Sequence, residues 1–322
     1  MHQPIPLPKR SNPLKPLGRM LLFVFILMNI IAMFQGWAFT HFNETAGERI
    51  KAEQMDAFQK VKMLFFGAPL PRPRNTETPS QEYESVTLKS NVMLSAWYIK
   101  TMSSKPKGTI LLFHGYQGNK SALLELSDAF LAMGYNTLLT DFMGSGGSEG
   151  NQTTIGYKEA ENIKTAYDYI AGRGEKNIYL YGSSMGAASV MKAINDYKLS
   201  PKAIVVGCPF GSMYGTVGKR FEIMGVPKFP MAGLLTFWGG IENGFWAFGH
   251  NPEDYAKNIT CPTLLLWGEQ DNRVDYDEIL AIYNNLAGPK DLHTFIHSGH
   301  GQYIETEPEA WHNTVESFLK NH

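Results

Sequence analysis

The residues best suited to chemistry in this chain are Gly182-Ser-Ser184-Met-Gly186, which close the short apolar run Tyr179-Leu-Tyr181. A serine with a glycine two residues away on each side suits a tight strand-to-helix turn that lifts a nucleophilic hydroxyl clear of a sheet. The glycines answer a steric need: a Cβ at either position would meet neighbouring backbone, and the serine itself adopts a strained φ/ψ. The surroundings agree, with strand-like Asn177–Tyr181 before the turn and the small residues Ala187-Ala188-Ser189 after it. The expectation is a nucleophilic Ser184; a purely structural Gly/Ser turn is the competing reading.

A serine hydroxyl is a poor nucleophile at neutral pH and needs a base that titrates nearby, which histidine supplies. The imidazole in turn needs a carboxylate on its other nitrogen, to fix its tautomer and stabilise the imidazolium. Two segments offer these groups. Gly268-Glu-Gln-Asp271-Asn-Arg-Val274 follows the apolar run Thr263–Trp267, and His297-Ser-Gly-His300-Gly-Gln-Tyr303 follows Thr294–His297. Asp271 is placed to orient a histidine, Val274 to anchor its loop in the core, and His300 lies between two glycines in an exposed loop. Glu269 and His297 stay open as alternatives, although Glu269 follows its strand closely and His297 sits at a strand end facing the core. Asp277 reads as a helix cap.

An oxyanion formed at Ser184 needs backbone donors, each contributing about 2.7–4 kcal/mol in acyl transfer. One is the N–H of Met185, directly after the nucleophile. The other is the N–H of Tyr116 in Phe113-His114-Gly115-Tyr116, where Gly115 permits a sharp turn. His114 reads as a structural histidine holding that loop. Asp141-Phe-Met-Gly144-Ser-Gly-Gly147-Ser148 lacks the Lys-Ser/Thr ending of a phosphate-binding loop and the spacing of a dinucleotide fingerprint, and reads as a structural turn.

The elements that must hold these groups follow a regular course. Tyr83–Leu88 and Val92–Ile99 alternate as an antiparallel pair around Ser90-Asn91. Thr109–Phe113, Asn136–Asp141, Asn177–Tyr181, Ala203–Val206, Thr263–Trp267 and Thr294–His297 read as further strands. Helices are expected at Ala122–Met133, at Lys158–Ala171, after the Ser184 turn, and at Glu307–Leu319. This alternation predicts an α/β fold, a mostly parallel sheet of about eight strands flanked by helices. Such sheets bind ligands at the carboxyl ends of their strands, which is where each candidate falls.

Together, His114–Asn119, Asp141–Gly150, Gly182–Gly186, Trp267–Val274 and Ser298–Tyr303 resemble the α/β-hydrolase superfamily in its serine-hydrolase branch. The chain looks most like the monoacylglycerol-lipase/lysophospholipase-type and dipeptidyl-peptidase-like esterases, over about residues 83–320. The resemblance implies a Ser184, Asp271, His300 triad in that order, an oxyanion hole at Tyr116 and Met185, and hydrolysis without cofactor or metal. It also implies a cap inserted after the sixth strand. A serine at the turn argues against the dehalogenase and epoxide-hydrolase branches, which use aspartate there.

Gly211–His250 (the cap, about 211–250) is crowded with large apolar residues. Most pack the cap onto the domain; Phe221, Phe237, Trp238 and Trp246 are candidate substrate contacts. An apolar cap favours hydrophobic carboxylic esters, such as a monoglyceride or lysophospholipid, cleaved through an acyl-enzyme. A peptidase or amidase using the same three residues is the first alternative. A non-catalytic binding module is the second, and the presence of all three partners counts against it.

The N-terminus bears on location. Arg19 is followed by no charged residue until Glu44, and residues 20–40 approach the ~20 apolar residues a spanning helix needs. Lys9, Arg10, Lys15 and Arg19 make residues 1–19 a basic, cytoplasmic segment by the positive-inside rule. The favoured expectation is an uncleaved signal anchor, with Trp37 at the interface. The alternative is a signal peptide cleaved near Gly36-Trp-Ala38. A buried core helix is the third reading, and no polar face supports it. Either leading reading puts the catalytic domain outside the cytoplasm: periplasmic, lumenal or extracellular.

Residues 41–80 read as a connector with an amphipathic helix at Ala52–Phe66 and extended chain around Pro69, Pro71, Pro73 and Pro79, leaving 81–322 as the hydrolase domain. Lys and Arg total 29 against 30 Asp and Glu, so no basic surplus suggests nucleic acid. Cys208 and Cys261 fall at opposite ends of parallel strands, too far apart for a disulfide, and form no metal-type spacing. Asn43, Asn119, Asn151 and Asn258 fit the glycosylation pattern, and a glycan on Asn119 would obstruct the oxyanion loop.

Overall fold

A computed structural model describes residues 14–45 and 57–322. Its centre is an eight-stranded sheet: β1 (Tyr83–Lys89), β2 (Met93–Ile99), β3 (Thr109–Phe113), β4 (Asn136–Thr140), β5 (Ile178–Ser183), β6 (Ala203–Gly207), β7 (Thr263–Gly268) and β8 (Lys290–Phe295). In space the order is β8-β7-β6-β5-β3-β4-β2-β1. All neighbours are parallel except the β1–β2 and β2–β4 pairs.

Every residue of β3, β4 and β6 is buried, because helices cover both faces. One apolar layer packs α4 (Glu159–Gly172), α5 (Met185–Tyr197) and α9 (Tyr276–Asn285) on the sheet through Ile163, Ile170, Met191, Ile194 and Ile282. The other holds α3 (Leu124–Ala132) and α11 (Pro308–Asn321) through Phe130, Trp311, Val315 and Phe318.

Two expected boundaries move. The last strand is Lys290–Phe295, not Thr294–His297, so Ile296 and His297 lie beyond its end and are exposed. This is an edge strand with one neighbour, and polar Lys290, Asp291 and His293 hid it from a search for apolar runs. The expected helix start near Ala122 is a single 3₁₀ turn, Lys120–Leu123, which precedes α3; the Asn119 side chain accepts the N–H of Ala122 and caps it. The Asn119 amide also donates to Arg74 O at 3.1 Å, so this side chain is engaged within the fold.

Between β6 and β7 the chain leaves the sheet to form a cap of α6 (Met213–Ile223) and α7 (Met231–Glu242), followed by short turns including α8 (Pro252–Tyr255). Against this cap lies α1 (Leu14–Thr40), 27 residues long and long and apolar enough to cross a membrane. Its two halves differ. Met20 to Ile26 are exposed on every side of the helix, whereas Ala32, Gly36 and Thr40 are buried. A Cβ on Gly36 would stand 3.0 Å from the Gly239 backbone nitrogen, so this glycine permits the close crossing of α1 and α7.

After α1, Phe42–Asn43 pairs with Leu70–Pro71, and the Thr153 N–H donates to Thr40 O at 2.8 Å. The helix expected at Ala52–Phe66 is seen as α2 (Ala57–Phe66); residues 52–56, like Lys9 and Arg10, lie outside the described residues.

Candidate active site

Ser184 sits between β5 and α5 with φ 53° and ψ −114°, in the left-handed half of the map that a non-glycine residue seldom occupies. The turn is held by its N–H, which donates to Gly207 O at 2.8 Å. The flanking glycines are sterically obligatory. A Cβ on Gly182 would come within 2.5 Å of Gly186 backbone, and one on Gly186 within 2.4 Å of Phe113 O.

The loops after β7 and β8 bring Asp271 and His300 to this serine. His300 Nε2 is 2.8 Å from Ser184 Oγ, and His300 Nδ1 is 2.7 Å from Asp271 Oδ2. The carboxylate is itself fixed: Asp271 Oδ1 accepts the N–H groups of Arg273 at 2.8 Å and Val274 at 3.1 Å. Val274 is buried, and its carbonyl accepts the Trp267 indole N–H at 3.0 Å, which ties the loop to the sheet. Burial pushes the His300 imidazole towards its neutral form, but the Cys208 sulfur and the Asp271 carboxylate outweigh this and raise its pKa above the ordinary value.

The alternatives fall away from the serine. His297 is exposed rather than facing the core, and its N–H donates to Glu307 Oε1 at 3.0 Å. Its position past the end of the edge strand, where nothing covers it, explains the difference. Glu269 is exposed. Asp277 is not the cap of α9; Asp275 is, in a capping box with Glu278, because the helix begins at Tyr276, two residues before one capped by Asp277 would.

Met185 is the first residue of α5, where a backbone N–H has no acceptor within the helix and the helix dipole favours negative charge. Gly115 faces the same point: a Cβ on it would be 3.7 Å from Ser184 Cβ. The loop carrying Gly115 and Tyr116 is braced by His114, whose Nδ1–H donates to Gly115 O at 2.8 Å while Nε2 accepts the Phe142 N–H at 3.1 Å. Burial lowers the pKa of this ring and keeps it neutral, as that pair of bonds requires. The Tyr116 hydroxyl donates to Phe39 O of α1 at 2.6 Å, and the Arg220 guanidinium lies 5.4 Å from its ring centroid.

Three further residues were given no role at the site from the sequence. Cys208, just past β6, has φ 41° and places its sulfur 4.0 Å from His300 Nε2. Its position at the carboxyl end of a strand was the available signal. Lys120 and Asp141 form a buried ion pair of 2.5 Å beneath the oxyanion loop. Asp141 also accepts from the Lys120 N–H, the Asn75 amide and the Gly147 N–H, so the glycine-rich segment folds around its own carboxylate.

Cys208, Asp271 and His300 offer possible metal-ligand atoms within 4.8 Å of one another. Both ring nitrogens of His300 are already engaged, Nε2 with Ser184 Oγ and Nδ1 with Asp271 Oδ2.

Beside the site, a cavity of about 660 Å³ runs between the cap, α1 and the Tyr116 loop. Of the four cap candidates, Phe221 lines it; Phe237, Trp238 and Trp246 do not. The face of α7 turned to the cavity carries Met231, Leu235, Thr236, Gly239 and Gly240, which leaves Phe237 and Trp238 off that stripe. Trp238 instead donates its indole N–H to Asn29 Oδ1 of α1 at 3.1 Å, and Phe237 and Trp246 are exposed. The cavity floor, Thr154 and Ile155, belongs to a loop wrapped on buried Glu159, which accepts from the Thr153 and Thr154 hydroxyls and the Thr154 and Gly156 N–H groups.

Comparison with known proteins agrees with this architecture. Residues 104–228 match the Hydrolase_4 family, described as serine aminopeptidase, S33. The chain is 23% identical to the uncharacterized protein YqkD of Bacillus subtilis over 217 residues, covering 66% of this chain and 71% of that protein. It is 26% identical to the lysophosphatidylserine lipase ABHD12 of Danio rerio over 208 residues, covering 61% of this chain and 51% of the lipase, so the match spans about half of that relative's length. Among solved structures, an esterase of Pyrococcus furiosus superposes with a TM-score of 0.65 at 26% identity, covering 78% of this chain and 96% of the esterase. The chain has the α/β-hydrolase fold and is a hydrolase, similar in sequence and structure to esterases and lipases.

Proposed function

We propose that the protein hydrolyses hydrophobic carboxylic esters, with Ser184 as nucleophile, His300 as general base and acid, and Asp271 as the group that orients and stabilises the imidazole. The observation that carries this reading is the continuous chain Ser184 Oγ, His300 Nε2, His300 Nδ1, Asp271 Oδ2, with contacts of 2.8 and 2.7 Å. His300 Nε2 takes the hydroxyl proton as Oγ attacks the ester carbonyl. The negative charge that develops on the carbonyl oxygen is received by the N–H groups of Met185 and Tyr116. His300 then returns the proton to the departing alcohol, which leaves an acyl group on Ser184. Water, deprotonated by the same nitrogen, releases the acid and restores the serine.

The apolar lining of the cavity favours a fatty acyl ester such as a monoglyceride or lysophospholipid. The similarity to an esterase and to a lysophosphatidylserine lipase points the same way. The match to a family described as a serine aminopeptidase keeps amide cleavage as a second reading. In location, α1 acts as an uncleaved signal anchor with Lys15 and Arg19 on the cytoplasmic side and the catalytic domain outside.

Labelling of the full chain by a fluorophosphonate probe tests the mechanism. Wild type is expected to label strongly, and Ser184→Ala and His300→Ala to lose the label. Paired ester and amide substrates then separate the two readings, with esters preferred. A folded wild type that does not label sinks the proposal.

A further inference from the structure

The geometry of α1 and the cap points to something beyond anchoring. We propose that the cap and the second half of α1 lie together within the outer half of the bilayer, and that the cavity between them takes the acyl chain of a single-chain lipid ester directly from that leaflet. The acyl-ester part of this statement rests on the function proposed above.

The first argument is one of length. Arg19 sets the cytoplasmic edge of the apolar segment, and a hydrocarbon core of ~30 Å requires ~20 helical residues beyond it. At 1.5 Å per residue, Asn29 stands only about 15 Å from Arg19, near mid-bilayer. Yet Asn29 is already in contact with the cap, through the Trp238 indole N–H at 3.1 Å. The part of α1 that is free on all sides, Met20 to Ile26, is too short to span the core alone. The helix can therefore cross only if the cap docked on it enters the bilayer as well.

The second argument is chemical. An asparagine inside an apolar spanning helix needs hydrogen-bond partners, because lipid supplies none. Asn29 has two: its amide donates to Phe25 O at 2.9 Å, and its oxygen accepts from Trp238. The cap surface suits lipid too. From Met231 to Ile241, α7 carries no charge, and Ile223, Met224, Phe229, Phe237 and Ile241 are exposed. Of the charged groups on α6 and the loop after it, Lys219 and Lys228 are paired with Asp275 and Glu222, and Arg220 lines the cavity beside the Tyr116 ring.

The third argument concerns the cavity. One wall is α1 itself, from Ile31 to Thr40, and the opposite wall is α6 and α7. It is lined by Tyr116, the neighbour of Gly115 that faces Ser184, and by α1 from Ile31 to Thr40, a rise of about 13 Å over nine residues. A volume of about 660 Å³ is within the range of small-molecule sites. A chain lying in this space would run along α1 with its carbonyl end towards the serine.

The test uses the full chain in phosphatidylcholine vesicles. The ratio of kcat/KM for a laurate ester to that for an acetate ester is expected to fall at least tenfold in Ile31→Trp and in Leu235→Trp, which fill the cavity from opposite walls. In a separate variant, Phe237→Trp, the added emission is expected to be quenched by phosphatidylcholine brominated on its acyl chains. A ratio equal to wild type in both fillers, or an added tryptophan untouched by brominated lipid, overturns the inference. Fluorophosphonate labelling of each variant reports on Ser184 separately, so failure of the catalytic reading is distinguishable from failure of this one.

Discussion

The carboxyl edge of the sheet and the layer formed by α1 with the cap both border the space beside Ser184, and they are built by opposite means. At the sheet edge, the side chains that support Ser184 are each fixed by more than one short polar contact. Asp271 is held by two backbone N–H groups and the His300 ring, and His114 is bonded at both nitrogens. In the cap layer, position comes from close approach of small residues, Gly36 against Gly239, with one polar bond between Trp238 and Asn29. Glu242, at the end of α7, has a buried carboxylate oxygen with no hydrogen-bond partner among the described residues. Reaction chemistry needs groups held to a few tenths of an ångström, whereas an acyl chain needs only a dry, shaped volume.

That contrast can be broken from either side. The largest effect is expected from Asp271→Asn, which keeps the shape but supports the wrong imidazole tautomer: kcat on a short ester should fall about 10⁴-fold. Steady-state kinetics with retained thermal stability would establish it, and a fall of less than tenfold would mean that Asp271 does not orient the base.

Next comes Gly36→Val. Its Cβ alone would stand 2.9 Å from Glu242 Oε2 and 3.0 Å from the Gly239 nitrogen, so α1 and α7 must separate at a cost of about 1–3 kcal/mol. Thermal unfolding in detergent should register the loss; an unchanged midpoint would show that this crossing contributes nothing to stability.

The smallest effect sharpens the polar side. His300 must be neutral to act as base, and its pKa is raised, so kcat/KM should climb with pH along a limb displaced above the ordinary imidazole range. Because the Cys208 sulfur is one cause of that rise, Cys208→Ala should move the limb towards lower pH. A pH–rate profile identical in the two proteins would remove Cys208 from the electrostatics of the site.

The same contrast explains what could be read in the sequence. Gly182, Ser184 and Gly186 and the loop of Asp271 were legible because each follows an apolar strand within a few positions, and the loop of His300 because glycines flank the histidine. The edge strand β8 was partly missed because its polar residues break the apolar run. The Lys120–Asp141 pair was illegible for another reason: two charges 21 residues apart do not announce that the fold will bury them together. In the cap, the abundance of aromatics marked an apolar region but not its directions. Phe221 faces the cavity, while Trp238 faces α1 and Trp246 faces outward, because side-chain direction depends on a helix crossing that no local pattern encodes. Above all, residues 20–40 looked like an anchor alone, since only the folded chain brings Ile31, Phe39 and Thr40 to the cavity wall.

The joint between Asn29 and Trp238 also sets a timetable. The two residues are 209 positions apart, so a ribosome adding roughly 5–20 residues per second delivers the indole about 10–40 s after the amide it will meet. For that interval the Asn29 side chain has no indole to receive, and one side of the cavity exists without the other. Biosynthesis thus leaves this crossing to form only after α7 has been made, and the cavity closes only when two apolar helices far apart in the chain meet.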